Sequence, residues 1–187
     1  LTANTATKAY DGTALTDSGY SITTGSFIGE EGIGSVTVSG SQIDVGNSAN
    51  TITSHTLKDN TLATNYSISY LPGTLTVTKN TTEITITAAS DSKAYDGTPL
   101  TKNGYTYTDN VLAVGDVLTA VVEGTITNAG TADNVVTSYK VMRGTADVTD
   151  FYTIKIGKGT LKVTPVTIVL TANTATKAYD GTALTDS

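Results

Sequence analysis

Residues 170 to 187, LTANTATKAYDGTALTDS, reproduce residues 1 to 18 letter for letter. This identity constrains the fold more than any other feature, because a chain that restarts its own sequence must be built from units able to follow one another. Selection on a binding or catalytic site would not fix every threonine and alanine of such a stretch, so the match marks a recently duplicated unit. An older, looser repeat lies inside that unit. KAYDGTALTDSGY (8–20) returns as KAYDGTPLTKNGY (93–105), SGSQIDVGNSANTIT (39–53) as EGTITNAGTADNVVT (123–137), and NYSISYLPGTLTVT (65–78) as FYTIKIGKGTLKVT (151–164), in the same order. The expected organisation is one repeat over residues 1–79, a second over 80–164, and the first strand of a third over 165–187.

Threonine is the commonest residue, and Val, Ile and Tyr supply most of the bulk. Branching at Cβ stiffens χ1 and suits a pleated surface better than a helix. Apolar and polar residues alternate in SVTVSG (35–40), YSISYL (66–71), ITITAA (84–89), YTIKIG (152–157) and VTIVLTA (166–172), the period of half-buried strands. Turn signals divide them at Asp11-Gly12, Pro72-Gly73, Asp96-Gly97, Asn128-Ala129-Gly130 and Lys158-Gly159. Several short strands in so few residues must bury one face of a sheet against another, which predicts tandem immunoglobulin-like antiparallel β-sandwiches. A β-grasp is the alternative, weakened by the absence of any helical period. The connections TVTKNTTEITI and KVTPVTIVL contain no Gly/Ser spacer, so the repeats should follow one another closely.

A net charge of −6 offers no basic surface to a phosphate backbone, so nucleic acid is not an expected partner. No apolar run reaches the roughly 18 residues of a membrane span. The absence of cysteine removes disulfide and thiol chemistry. Two Phe and no Trp are available to fill a core, and few exposed aromatics are expected, which argues against glycan stacking.

Candidate chemistry is sparse. His55 is the only histidine, and its counterpart in the second repeat is Tyr139, which suits a strand position and not a general base. GKGT (157–160) lacks the Gly-x4-Gly-Lys frame of a phosphate loop and matches LPGT (71–74), a hairpin turn. Asp91, Asp96, Asp116, Asp133, Asp147 and Asp150 offer oxygens, but no spaced calcium loop gathers them. No cofactor is expected, an interdomain calcium ion being the one considered. No enzyme activity is expected either.

The recurring motif reads as a structural start of each repeat: Lys8, Tyr10, Asp11 and Gly12, then Lys93, Tyr95, Asp96 and Gly97, then Lys177, Tyr179, Asp180 and Gly181. Asp-Gly provides a turn with positive φ at the glycine. The tyrosine ahead of it is suited to burying its ring while its hydroxyl finds a partner at the edge of the domain. Each lysine also stands near a Tyr and an Asp, and Lys-Asn or Lys-Asp cross-links occur in bacterial surface sandwiches, although nothing in the spacing requires one here.

KAYDGT, GSQIDVGNSANT (40–51), NYSISYLPGTLTVT and VGD (114–116) together resemble the MBG and YDG families of bacterial surface repeats, over essentially the whole chain and twice in order. Phe151 replaces the Asn of NYSI in the second copy. The resemblance implies extracellular, immunoglobulin-like modules at the bacterial cell surface, in adhesins and haemagglutinin-like exoproteins, with no catalytic residues to carry over. The expected function is a stalk or spacer of a long adhesin or fibre that projects a terminal binding region. The alternative is that each repeat is itself a weak host glycan- or protein-binding module acting by multivalency. Adjacent copies of the same repeat are the expected partners. The tail Val166 to Ser187, an apolar-faced strand with no repeat behind it, is expected to self-associate by pairing with a neighbouring chain.

Overall fold

The computed structural model describes residues 1–108 and 110–185. Asp186 and Ser187, the end of the repeated tail, lie outside the described residues. The N-terminal half contains β1 (Thr2–Ala3), β2 (Ala6–Ala9), β3 (Tyr20–Ser21), β4 (Ile33–Ser39), β5 (Gly46–Leu57) and β6 (Gly73–Thr78). The C-terminal half contains β7 (Asn80–Ala88), β8 (Asp91–Ala94), β9 (Tyr105–Tyr107), β10 (Asp116–Glu123), β11 (Gly130–Arg143), β12 (Ala146–Asp147), β13 (Tyr152–Gly157) and β14 (Gly159–Thr164). Single 3-10 turns at Ala63–Asn65 and Thr149–Phe151 are the helical elements among the described residues. The chain is all-β, as the threonine-rich alternation requires. No helix among the described residues is long and apolar enough to cross a membrane.

The halves repeat one sheet. In the first the strand order is β2-β6-β5-β4, and in the second β8-β14-β11-β10, with β12 added to β11. The C-terminal half also holds β13-β7-β9, whereas the matching place in the first half has only the short pair β1-β3. The sheets are mixed and not wholly antiparallel as expected. β2 runs parallel to β6, β8 to β14 and β7 to β13. The reason is directional: a unit whose chain enters at one end and leaves at the other has first and last strands pointing the same way. Only Lys79 separates β6 from β7, so one half passes directly into the next.

β5 and β11 each serve two partners. Gly46 to Asn50 pair with β6 and Thr51 to Leu57 with β4; Gly130 to Asn134 pair with β14, and Val135 to Arg143 with β10. Asn50 and Asn134, the recurring asparagines, sit at the crossing point and are fully buried. There the ladder changes partner and leaves carbonyls without a strand to answer them. Asn50 Nδ2 donates to the Asn4 and Asp17 carbonyls at 3.0 Å each, and Asn134 Nδ2 to those of Ala89 and Lys102 at 2.8 and 2.7 Å. Buried carbonyls without partners would cost about 1–3 kcal/mol each.

The main core belongs to the C-terminal half, where Ile84, Ile86, Leu118, Val122, Val136, Val141, Val148 and Tyr152 pack together. Two buried residues of the N-terminal half, Tyr10 and Val77, join this cluster, and Leu15 and Val45 pack against it. The core of the first half is smaller because β7 has no full counterpart there.

Candidate functional site

Tyr10 follows β2, and its N–H donates to the Thr78 carbonyl at 2.8 Å, next to the passage from β6 into β7. From this anchor its ring enters the C-terminal half and is 1% exposed. The ring meets Phe151 and Tyr152 edge to face, at centroid distances of 4.9 and 5.5 Å. The Arg143 guanidinium lies 5.0 Å over its face. Edge-to-face pairs and a cation above a ring are both favoured by the ring quadrupole.

The phenol of Tyr10 donates to Asp116 Oδ2 at 3.0 Å. Tyr152 donates to the same oxygen at 2.6 Å, and Arg143 Nε to Asp116 Oδ1 at 2.8 Å. The Asp116 side chain is wholly enclosed. A carboxylate taken out of water costs several kcal/mol unless it is paired and hydrogen-bonded, and here a cation and two phenols supply those partners. The Ala113 N–H fixes Tyr152 by donating to its hydroxyl at 2.8 Å. Arg143 also reaches back to the first half, with Nη1 3.6 Å from Asp44 Oδ1. Burial, followed by the bond to Asp116, pushes the Tyr10 phenol well above its usual range, and the same causes push Tyr152 up to about 12.

The motif turn aims Tyr10. Asp11 Oδ1 accepts from the Thr13 N–H at 2.9 Å and its hydroxyl at 2.8 Å, and pairs with Lys8 Nζ at 2.7 Å. Lys8 first, then Thr13, holds the Asp11 carboxyl down at about 2. Gly12 has φ 78°, and a Cβ there would strike the Arg143 guanidinium and lie 2.8 Å from Ala113 Cβ. Glycine is thus required twice, by the turn and by the close approach.

The other two copies keep the turn and lack the seat. Lys93 pairs with Asp96 at 2.7 Å and Lys177 with Asp180 at 2.8 Å, with Thr98 and Thr182 donating to the aspartates as Thr13 does. Gly97 and Gly181 have φ of 81° and 78° and open space where a Cβ would stand. The Tyr95 N–H donates to the Thr164 carbonyl at 2.8 Å, matching Tyr10 on Thr78, yet its ring is 44% exposed. Tyr179 is 98% exposed.

A similar group of side chains stands at the matching end of the first half. Leu118 pairs with Val141 as Ile33 pairs with Leu57, which sets Glu31 in the place of Asp116. Tyr66 donates to Glu31 and accepts from the Ile28 N–H at 3.1 Å, as Tyr152 does with Asp116 and Ala113. Phe27 packs on the Tyr66 ring at 4.6 Å. Beside it opens a cleft of about 170 Å³ lined by Leu1, Ile22, Phe27, Tyr66, Ile68 and Leu71. In the C-terminal half β7 fills that place, pairing with β13 and β9 and burying Ile84 and Ile86 completely.

The remaining candidates are dispersed. His55 lies on β5 with Nδ1 2.5 Å from the Tyr70 hydroxyl. GKGT turns from β13 into β14. Among the described residues no three His, Asp or Glu side chains gather into a metal-binding group; of the six aspartates considered for calcium, Asp116 alone reaches the joint, where Arg143 faces it. The surface carries more aromatics than expected: Tyr20, Tyr70, Tyr95, Tyr107 and Tyr179 are each more than a third exposed, and two of the five, Tyr95 and Tyr179, are motif tyrosines without a seat. Sequence reasoning singled out Tyr10 and the Tyr66/Tyr152 pair but not Arg143. Its one signal was that it is the only arginine in the chain. The chain matches no protein-family profile, no curated protein and no solved structure.

Proposed function

We propose that this chain is a length of stalk from a long bacterial cell-surface adhesin or fibre. In this reading residues 1–79 and 80–164 are immunoglobulin-like sandwich modules, residues 165–187 open a third, and the array holds a terminal binding region away from the cell. The observation that carries the reading is the seat of Tyr10. The tyrosine of the first copy of the motif is buried in the following half, which supports a role for that copy in the connection between units. A buried tyrosine, a one-residue connection and an arginine bridging back to Asp44 make a joint that resists bending. The stability of such an array is approximately the sum of module and interface terms, and its length follows from repeat number.

The test uses arrays of two, four and six modules. Small-angle X-ray scattering should give a maximum dimension rising linearly, by about 30–40 Å per module for strands of this length. The two-module chain should give no saturable signal on arrays of host glycans and matrix proteins. A saturable signal would transfer the function to the modules themselves, and a dimension that does not grow with repeat number would remove the stalk.

A further inference from the structure

We infer that each half carries a shear clamp, its first and last strands forming one parallel ladder that meets tension along the chain with all its rungs at once. The clamp gives the stalk reading above a mechanical task and rests on that reading only for its purpose. In the C-terminal half β7 runs on into β8, and β13 into β14, each long strand passing from one sheet to the other through a short kink. The two lie side by side in parallel, and the register holds across the kinks. Glu83 to Thr87 face Thr153 to Gly157, and Asp91 to Ala94 face Leu161 to Thr164. Between these patches the Thr160 N–H donates to Ser90 Oγ at 3.0 Å, spanning the same 70 residues of chain. Gly159 makes the crossing possible, since a Cβ there would strike the Ala89 carbonyl oxygen.

The N-terminal half repeats the arrangement. Thr2 bridges to Leu71 in parallel, and Ala6 to Ala9 face Leu75 to Thr78. Between them the Thr74 N–H donates to Thr5 Oγ1 at 3.1 Å, across the same 69 residues of chain, and a Cβ on Gly73 would strike the Asn4 carbonyl oxygen. The recurring motif finishes both ladders. Tyr10 and Tyr95 add a last rung, their N–H groups donating to the Thr78 and Thr164 carbonyls at 2.8 Å. The hydroxyls of Thr78 and Thr164 donate back to the Lys8 and Lys93 carbonyls at 3.3 Å. Asp11 and Asp96 then hold the turn that follows, each 2.7 Å from its lysine. The two copies share this role, although one ring is buried and the other half-exposed.

Direction decides the strength. Tension along the chain pulls β7 at Asn80 and β14 at Thr164, the opposite ends of a parallel ladder, so its rungs are loaded together. β10 and β11 are antiparallel, and parting them at Asp116 and Arg143 breaks their rungs one after another. A single rung is weak on its own, so the difference lies in how many must fail at once. Lys79 alone joins β6 to β7, and tension passes from one clamp straight into the next.

Single-molecule force spectroscopy on the full chain tests this, and the absence of cysteine allows thiol handles to be placed in pairs. Lys79→Cys with Pro165→Cys loads the C-terminal clamp in shear; Val114→Cys with Thr145→Cys, all four positions being exposed, peels β10 from β11. Forced unfolding follows the barrier along the pulled direction, so at one loading rate the shear pair should rupture at a force at least about two-fold higher. Its rupture should lengthen the chain by about 240–280 Å. Tyr95→Pro, which removes the last N–H, should lower the shear force and leave the peeling force unchanged, whereas Tyr95→Ala keeps that N–H and should change neither. Equal forces in the two directions, or a Tyr95→Pro effect that is the same in both, overturns the clamp. Either result leaves the stalk reading to the scattering test, which measures length and not strength.

Discussion

Tyr10→Ala and Tyr95→Ala change the same letter of the same six-residue motif, and the structure gives them opposite consequences. Tyr10 loses a buried ring, two edge-to-face contacts, the guanidinium above its face and a hydrogen bond to a carboxylate. Truncating a buried aromatic to alanine costs about 3–5 kcal/mol. For a cooperative unit of this size each kcal/mol lowers Tm by about 2–4 °C, giving a drop of about 6–20 °C. Tyr10→Phe separates out the hydrogen bond, whose loss costs about 1–3 kcal/mol because Asp116 keeps Arg143 and Tyr152. Tyr95→Ala removes a half-exposed ring and should stay within about 0.5 kcal/mol. Differential scanning calorimetry of the three variants, with urea denaturation as a second probe, measures all of this. The Tyr10→Ala transition should also separate into two, because the joint that couples the halves is gone. Equal shifts for Tyr10→Ala and Tyr95→Ala, or a Tyr10→Ala shift below about 0.5 kcal/mol, would refute the claim that position in the joint sets the role of the motif.

Alkaline pH should open the joint. Tyr10 and Tyr152 have phenols raised above their free value, so the stability they confer is complete below about pH 10 and is lost as pH rises through the raised values, from about 10 to beyond 12; tyrosinate absorbance should show both ionising late and together with loss of coupling. Acid acts on the turns in the opposite sense. Asp11, Asp96 and Asp180 have lowered carboxyls, so their contribution is complete above about pH 4 and fades towards pH 2, and because these pairs are solvent-exposed the fall in Tm should be small and salt-sensitive. Asn134→Ala should destabilise the C-terminal half by about 2–4 kcal/mol, measured by urea denaturation, since the Ala89 and Lys102 carbonyls both lose their donor. Placing the sequence of Pro165 to Val169 ahead of Leu1 should fill the cleft beside Tyr66 and raise the midpoint of the N-terminal half, each newly buried Ile or Val adding about 1.5–3 kcal/mol.

The letters alone determined that the chain is β, that its two halves repeat, and that Asp-Gly makes a turn in each copy of the motif. These follow from local physics: β-branched side chains, a two-residue period and a positive φ depend on neighbours along the chain. YSISYL and YTIKIG show where that physics stops. Both alternate, yet only the second is a strand, because β7 lies beside it while the first has little more than Thr2 to pair with. VTIVLTA alternates as well as ITITAA does and forms no strand, since its backbone N–H and C=O groups have no neighbouring ladder. The recurring Asn50 and Asn134 were visible as letters, but their duty of closing carbonyls at the point where a strand changes sheets was not. Three identical motifs likewise became one buried tyrosine, one half-exposed and one almost fully exposed. A strand or a seat needs a partner brought from elsewhere in the chain, so only the tertiary structure decided which copies of the same sequence had one.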